Sequence, residues 1–389
     1  MRLLLKIASS IGVLVFCLTA HAVQTEAFYE NASFAPVVDF ILTARSSLDI
    51  EIYEIQDTRV QAAVLKVMDQ GVKVRVIQES ESVGSKCPVF SVIYAGDTVS
   101  CKVQKEFIQK VRAKGGFYIP FAHHEFCGPG KYRCLEHGKM VIVDRQKALI
   151  STGNFNPTNL CDPEGVPQGG MLSRCNRDYT MLTIDTDILK TLTAVFDADF
   201  NSKSYDLLNI LNQPFAKRVT VSPYSLNPIT QFIRSAKKTI LIENQYLKNA
   251  EVNAALIAAA KSGVNVFVVV NSICTFSKPD PVKDQDAITL WKNTFKSFDS
   301  VGIRSRMFTK QIRIRGYSAY LHSKAIVVDG NRAWVGSVNG SDMALSRNRE
   351  FGIFFDDVNE VLKLSQFIAA DFNDPNAESW QESLDCKKD

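Results

Sequence analysis

The sequence predicts an α/β protein made of two similar α/β halves, each a mixed, mainly parallel sheet flanked by helices, packed about a pseudo-twofold axis with an active site between them. Three observations carry this expectation. The chain aligns with itself at an offset of 192 residues, each copy reads as strand–helix–strand, and a second, polar repeat follows in each copy.

In the first repeated stretch Ala44 aligns with Ala236, Leu48 with Ile240, Ile50 with Ile242 and Glu51 with Glu243. Val60 meets Val252, Gly71-Val72 meets Gly263-Val264, and Val74 and Val76 meet Val266 and Val268, all without a gap. Helical patterns at 34–44 and 229–236 lead into β-branched strands at 48–53 and 239–245. Helices rich in alanine and valine follow at 60–69 and 252–261, and Gly71 and Gly263 stop them as C-caps. Apolar strands resume at once, at 72–77 and 264–270, which completes the unit that builds a parallel sheet. The periodicity breaks at 211–217, where Asn212-Gln213-Pro214 precedes a strand at 218–222. The expected organisation is a leader at 1–22, one repeat at 23–212 and another at 213–389.

Residues 1–22 carry Arg2 and Lys6, an apolar run from Ile7 to Leu18, and the small-x-small sequence Ala20-His21-Ala22. This is the pattern of a cleaved secretory leader, and its apolar run falls short of the roughly 20 residues a membrane span needs. The protein is therefore expected to be secreted or periplasmic. Beyond the leader 43 basic residues face 41 acidic ones, a net charge of +2. Near-neutrality removes the whole-chain basic footprint of a non-specific nucleic-acid binder but leaves room for a local patch. Eight cysteines remain: Cys87, Cys101, Cys127, Cys134, Cys161, Cys175, Cys274 and Cys386. An even number in an exported chain points to disulfides whose connectivity spacing leaves open, with the short pairs Cys127–Cys134 and Cys161–Cys175 as the first expectation. The competing reading is a metal site of His123, His124, Cys127, Cys134 and His137, although Cys-x6-Cys lacks the tighter knuckle of structural zinc sites.

Further along, the offset becomes 185 and the matched residues turn polar. His137-Gly138-Lys139 with Asp144 aligns with His322-Ser323-Lys324 with Asp329, and Ser151-Thr152-Gly153-Asn154 aligns with Gly336-Ser337-Val338-Asn339. A His and a Lys two apart on a strand leave the same face. Residues 145–147 and 330–332 suit tight hairpins after the Asp, and the returning strands bring Thr152, Asn154, Ser337 and Asn339 beside the His/Lys pairs. A lone histidine is ordinarily a hydrogen-bonded structural residue. By average composition, however, a given His has both Lys and Asp at these offsets only about a few times in a thousand. Two of the four histidines beyond the leader have them, so coincidence fails. A third match pairs Asn176-Arg177-Asp178-Tyr179 with Asn348-Arg349-Glu350-Phe351 at an offset of 172. The extra residues of the first copy fall at 160–175, a Pro/Gly-rich insertion read as a stapled surface loop near the active site.

The duplicated His-x-Lys-x4-Asp followed by Gly-Ser-x-Asn resembles the phospholipase D superfamily over essentially the whole chain beyond the leader. Val221-Ser222-Pro223 and Ile242-Glu243-Asn244-Gln245-Tyr246 are similar to what such proteins carry on entering their second half. Motif one departs from the pattern at Ser151-Thr152, where Thr152 keeps the hydroxyl. The resemblance implies phosphodiester chemistry through a phosphohistidine, with His137 as nucleophile and His322 as acid and then base. It implies that Lys139, Lys324, Asn154 and Asn339 grip the phosphoryl oxygens and that Thr152 and Ser337 add hydroxyl contacts. Asp178 and Glu350 would orient the histidines, each expected on the histidine of its own half. Asp144 and Asp329 belong to the catalytic motifs, yet their place at hairpin turns reads as structural.

Two lysines and two amides supply the charge neutralisation a metal gives elsewhere, so no cofactor is expected. Division of labour requires neighbours that push the two imidazole pKa values apart, one neutral and one protonated near pH 7. The expected reaction is hydrolysis of the terminal phosphodiester of phospholipids at a membrane surface. The alternatives are phosphatidyl transfer of cardiolipin-synthase type and an exported nuclease. Arg304, Arg306, Lys310, Arg313 and Arg315 form a basic run that suits a solvated strand, a lipid head group or a nucleic-acid backbone. No obligate protein partner is implied.

Overall fold

The computed structural model describes residues 26–30, 33–83, 86–122, 134–161, 174–201 and 204–389. The leader expected at 1–22 lies outside them, as do His123, His124 and Cys127 of the competing metal reading.

The first half contains β1 (Glu26–Glu30), α1 (Ala35–Leu42), β2 (Ser47–Ile52), α2 (Thr58–Asp69), β3 (Lys73–Gln78), α3 (Val99–Ala113), β4 (Phe117–Pro120), β5 (Lys139–Val143), β6 (Lys147–Ser151), β7 (Arg174–Arg177), β8 (Tyr179–Thr183) and α4 (Thr186–Asn201). After the short α5 (Leu208–Leu211) come β9 (Val219–Val221), α6 (Leu226–Arg234), β10 (Thr239–Asn244), α7 (Ala250–Lys261), β11 (Asn265–Asn271), α8 (Gln285–Asp299) and β12 (Arg304–Phe308). The chain ends with β13 (Arg313–Ile314), β14 (Tyr317–Leu321), β15 (Lys324–Val328), β16 (Arg332–Gly336), α9 (Asp342–Ser346), β17 (Phe351–Phe355) and α10 (Val358–Asn373).

Two seven-stranded sheets form, in the orders β1-β8-β6-β5-β2-β3-β4 and β9-β17-β16-β15-β10-β11-β12. Each strand of one has its repeat partner at the same place in the other. Pairing is parallel along β2-β3-β4 and β10-β11-β12, where helices make the crossovers. The other pairings, through β5, β6, β8 and β1 and their equivalents, are antiparallel. The sheets are mixed as expected, but their parallel part is confined to the strand–helix–strand edge, because three-residue hairpins can only join antiparallel strands.

Local chemistry explains the repeated unit. Asp57 caps α2 by accepting the Arg59 N–H at 2.9 Å, and Asn249 at the equivalent position caps α7 by accepting the Val252 N–H at 2.9 Å. Both helices end where Gly71 and Gly263 take φ of +88° and +92°, a conformation that costs a side chain but not glycine.

Side chains of the motif strands alternate between two cores. Val141 and Val143 face the outer helices while Met140 and Ile142 face the centre, and Ile326 and Val328 alternate with Ala325 and Val327 in the same way. The central layer joins the halves. In it Ile150 and Met181 of the first sheet share a core with Val335, Phe351 and Ile353 of the second, flanked by α4 and α10. Burial of each such side chain contributes about 1.5–3 kcal/mol, so the sheets are held face to face by apolar packing. Of the basic run, Arg304 and Arg306 lie on the edge strand β12 and Arg313 on β13, while Lys310 and Arg315 lie in the turns beside β13; Arg304 sits over the Phe267 ring and Arg306 over the Phe372 ring.

The structure pairs Cys161 with Cys175, Cys87 with Cys101 and Cys274 with Cys386. The first closes the insertion as expected. Cys134 is also disulfide-bonded, while Cys127 lies outside the described residues. The Cys274–Cys386 bond spans 112 residues and ties the C-terminal segment to the loop after β11, whereas Cys87–Cys101 spans 14. Loop-closure entropy then predicts that replacing both Cys274 and Cys386 by Ser costs about 5 kcal/mol, against about 3 kcal/mol for Cys87 and Cys101. Urea unfolding midpoints measure the order. Equal losses, or the reverse order, would show that the long closure does not restrain the unfolded chain.

Candidate active site

The motif hairpins set the frame. β5 turns into β6 through Asp144, Arg145 and Gln146, and β15 turns into β16 through Asp329, Gly330 and Asn331. Asp144 and Asp329 take φ of 53° and 55°, and each carboxylate collects three successive backbone N–H groups. Asp144 accepts from Arg45, Ser46 and Ser47 at 2.7–3.0 Å, and Asp329 from Lys237, Lys238 and Thr239 at 2.7–3.0 Å. Partial burial pushes the Asp144 carboxyl up, but those N–H groups outweigh it and hold the group down at about 2. Both aspartates sit at the far end of their strands from the histidines. They pin the turn to the preceding β-strand, and their grouping with the catalytic residues is corrected to a structural one.

His137 and His322 lie just before β5 and β15, so the strands begin at the lysines. The carboxylates cross over. His137 Nδ1 is 2.9 Å from Glu350 of the second half, and His322 Nδ1 is 2.9 Å from Asp178 of the first. The pairing expected within each half is therefore wrong. Its physical cause is the backbone: β7 pairs in parallel with β14 of the other half, Arg177 C=O accepts the His322 N–H at 3.0 Å, and Arg349 C=O accepts the His137 N–H at 2.8 Å. Each Asn-Arg-acid tripeptide is thus laid against the histidine strand of the opposite repeat.

A carboxylate only accepts, so each Nδ1 carries the hydrogen and each Nε2 keeps a lone pair. Lys139 and Lys324 are fully buried, and each ammonium donates to the carbonyl of the histidine two residues before it. Lys324 also reaches Thr152 C=O at 3.2 Å, which ties the second motif to the first hairpin. The expected hydroxyl contacts to substrate are differently used. Thr152 Oγ1 donates to Asp178 at 2.7 Å and accepts the Tyr179 N–H, while Ser337 Oγ accepts the Phe351 N–H at 3.0 Å. Both hydroxyls hold the strand that carries the acid. Asn154 donates to Glu54 at 3.2 Å, and the Oδ1 atoms of Asn154 and Asn339 are buried without a hydrogen-bond partner among the described residues.

Electrostatics follow from burial of four cationic or potentially cationic groups together. Burial pushes His137 down to about 4, with Lys139 and Lys324 acting in the same direction against Glu350. Burial and Lys324 push His322 down to about 3 against Asp178. Burial likewise lowers Lys139 to about 8 and Lys324 to about 7. Each lysine depresses the histidine of the other motif as well as its own, which places the two motifs in one site. The expected split, with one imidazole neutral and one charged, is not what these surroundings produce. Both are held toward the neutral form near pH 7, chiefly by burial and secondarily by the two lysines.

Sequence reasoning missed the ion pairs behind the histidines. Arg349 pairs with Asp199 on α4 at 2.9 Å, and Arg177 pairs with Asp371 on α10 at 2.6 Å, again across the halves. Buried Glu51 and Glu136 beside Arg349, and Glu243 beside Tyr179, are raised by desolvation. The aligned pairs Arg177/Arg349 and Glu51/Glu243 were visible as repeats, but repetition does not say which copy answers which. Asn159 was missed too; it donates to Asp178 and lies 3.3 Å from His322 Nδ1.

These contacts separate two kinds of acid. Glu350→Gln removes the negative charge and lets an amide NH2 face His137 Nδ1, which favours the wrong tautomer, so turnover of a phosphodiester should fall on the order of 10²-fold or more. Asp144→Asn keeps one accepting oxygen and tolerates the left-handed turn, so it should lower stability by about 1 kcal/mol and leave kcat in place. A comparable collapse of kcat in Asp144→Asn would return that residue to the catalytic group.

A family model described as "Cardiolipin synthase, PLD-like domain" matches residues 37–200 and 229–374, one match for each half. The chain is 23% identical over 369 residues to the probable cardiolipin synthase YwiE of Bacillus subtilis, covering 88% of this chain and 64% of that protein. It is 22% identical over 366 residues to a cardiolipin synthase of Oceanobacillus iheyensis, covering 88% of this chain and 67% of that one. The chain thus spans about two thirds of the length of these relatives. Among solved structures, the phosphatidylserine synthase of Haemophilus influenzae superposes with a TM-score of 0.62 at 12% identity, covering 92% of this chain and 88% of that one, a likeness of fold. With both repeats matched and both His-x-Lys-x4-Asp motifs converging on one site, the chain belongs to the phospholipase D superfamily, in the family of PLD-like domains of cardiolipin-synthase type.

Proposed function

We propose that the chain is a phosphatidyl transferase that moves the phosphatidyl group of one phospholipid to an alcohol, releasing the first head group. The observation that carries the chemistry is the pair of buried histidines, each with Nδ1–H on a carboxylate of the other half and its Nε2 lone pair left for chemistry, beside two buried lysines. Hydrolysis shares the first step with transfer. The names borne by the relatives favour an alcohol over water as acceptor, so transfer replaces the phospholipase D reaction expected from the sequence. Export through the leader at 1–22 belongs to the same proposal.

In the first step Nε2 of His137 attacks phosphorus, the P–N bond forms, and the P–O bond to the departing alcohol breaks as that oxygen takes a proton from His322. In the second step the acceptor alcohol gives its proton to His322 and attacks phosphorus, and the P–N bond breaks to restore neutral His137. Lys139 and Lys324 neutralise the non-bridging oxygens. The anionic phosphodiester raises the pKa of His322 as it binds, so substrate itself supplies the condition under which the general acid is charged.

With His137 depressed to about 4, kcat/KM, which reports the free enzyme, should be lost as pH falls through about 4, and it should decline as pH rises above that because free His322, at about 3, and then Lys324, at about 7, lose their protons. An acid limb near 6.5, the ordinary histidine value, would show that burial does not control the nucleophile. His322→Asn should leave a phosphoryl group on His137, detectable by mass spectrometry with a substrate whose leaving group needs no proton. An adduct on His322 in the reciprocal His137→Asn variant, and none on His137, reverses the roles.

The reaction itself is tested with vesicles of phosphatidylglycerol beside single-stranded DNA. Diphosphatidylglycerol and free glycerol are the expected products. Phosphatidic acid alone would make the protein a hydrolase, and nucleotide release with intact lipid would make it a nuclease.

A further inference from the structure

A cavity of about 350 Å³ opens in the second half between the end of β11, the segment after β10 and helix α8. Its size is that of a ligand site rather than of a packing defect. Its inner wall touches the catalytic strand on both sides of His322. Asn271 exchanges hydrogen bonds with Leu321 at 2.6 and 3.1 Å, and the Gln245 N–H donates to Ser323 C=O at 3.1 Å. From there apolar surface runs outward. The Tyr320 ring lies 6.0 Å from the His322 ring, Phe276 lies 5.3 Å from Tyr320, and Trp291, Phe295 and Leu290 of α8 form the opposite wall. At the mouth Phe276 is 65% and Leu290 49% exposed.

The first half carries different residues at the equivalent positions. Where the second half has Gln245, Tyr246 and Asn271, the repeat places Tyr53, Glu54 and Glu79. There the Val83 N–H donates to Tyr53 Oη, Ser82 reaches Glu54, and a Cys87–Cys101 bond follows in the chain. Beside the second motif the aromatic-walled cavity is thus bordered by Gln245, Tyr246 and Asn271, whereas the equivalent positions beside the first motif include two buried carboxylates.

We propose that this cavity takes an acyl chain of the phospholipid whose phosphate lies between His137 and His322. The assignment rests on the reading of the protein as a phosphatidyl transferase. It adds what that chemistry leaves open, namely where the apolar part of the donor goes and in which of two similar orientations the donor enters. The diacylglycerol side of the phosphodiester points toward α8, and the head group points toward Glu54 and Glu79.

The test uses soluble phosphatidylglycerols with acyl chains of increasing length, below their micelle concentrations, beside bis(p-nitrophenyl) phosphate, which has no acyl chain. Each methylene that enters the cavity should raise kcat/KM by about fourfold until the cavity is full. Leu290→Asp, at an exposed position of the wall, and Thr294→Trp, which fills the cavity, should flatten that dependence at least tenfold for the longest chain while leaving turnover of bis(p-nitrophenyl) phosphate unchanged. A chain-length dependence identical in wild type and both variants overturns the assignment and leaves the transferase reading standing. Turnover of bis(p-nitrophenyl) phosphate and DNA with no phosphatidylglycerol turned over at any chain length removes the reading on which the assignment rests.

Discussion

Everything at the centre of this molecule depends on the reciprocal exchange of an Asn-Arg-acid tripeptide between the two halves. Neighbouring residues of an extended segment point opposite ways, so Arg177 reaches Asp371 on α10 while Asp178 reaches His322, and Arg349 reaches Asp199 on α4 while Glu350 reaches His137. A charge left buried without its partner costs about 3–5 kcal/mol. The halves therefore cannot slide apart without stranding two guanidinium groups and releasing the imidazoles of both motifs. Apolar packing presses the sheets together, and the exchanged tripeptides fix their register to within hydrogen-bond geometry.

That constraint shapes the chemistry. Because carboxylates of the opposite half fix both Nδ1–H tautomers, both Nε2 atoms keep a lone pair, as the proposed chemistry requires. Burial pushes both imidazoles toward the neutral form and lowers the lysines, Lys139 to about 8 and Lys324 to about 7. The site is thus poised to be completed by an anion. On the proposed function, an anionic phosphodiester would add negative charge beside the two lysines, so that its binding would also favour the charged form of His322.

Pseudo-symmetry builds the site, and departures from symmetry give it direction. The motif hairpins and the crossed ion pairs are common to both halves. Differences lie next to the motifs, where Glu54 and Glu79 of the first half correspond to Tyr246 and Asn271 of the second. On the proposed function, such asymmetry is what would distinguish the two esters of a phosphodiester.

The sequence by itself determined the duplicated α/β architecture, because alternation, glycine stops and helix caps such as Asp57 and Asn249 are local and recur at a fixed offset. It also determined the motif residues, since His, Lys and Asp at those spacings recur too improbably to be chance, and the hairpin position of Asp144 and Asp329 announced their structural part. Only the tertiary structure decided which acid serves which histidine, that Thr152 and Ser337 spend their hydroxyls on the scaffold, and that both imidazoles are held toward the neutral form. Those outcomes depend on distances between segments far apart in the chain, such as Asp178 and His322, which are separated by 144 residues. A repeat makes such segments interchangeable on paper, and only the way the two sheets pack breaks the tie, by carrying each tripeptide across to the other half.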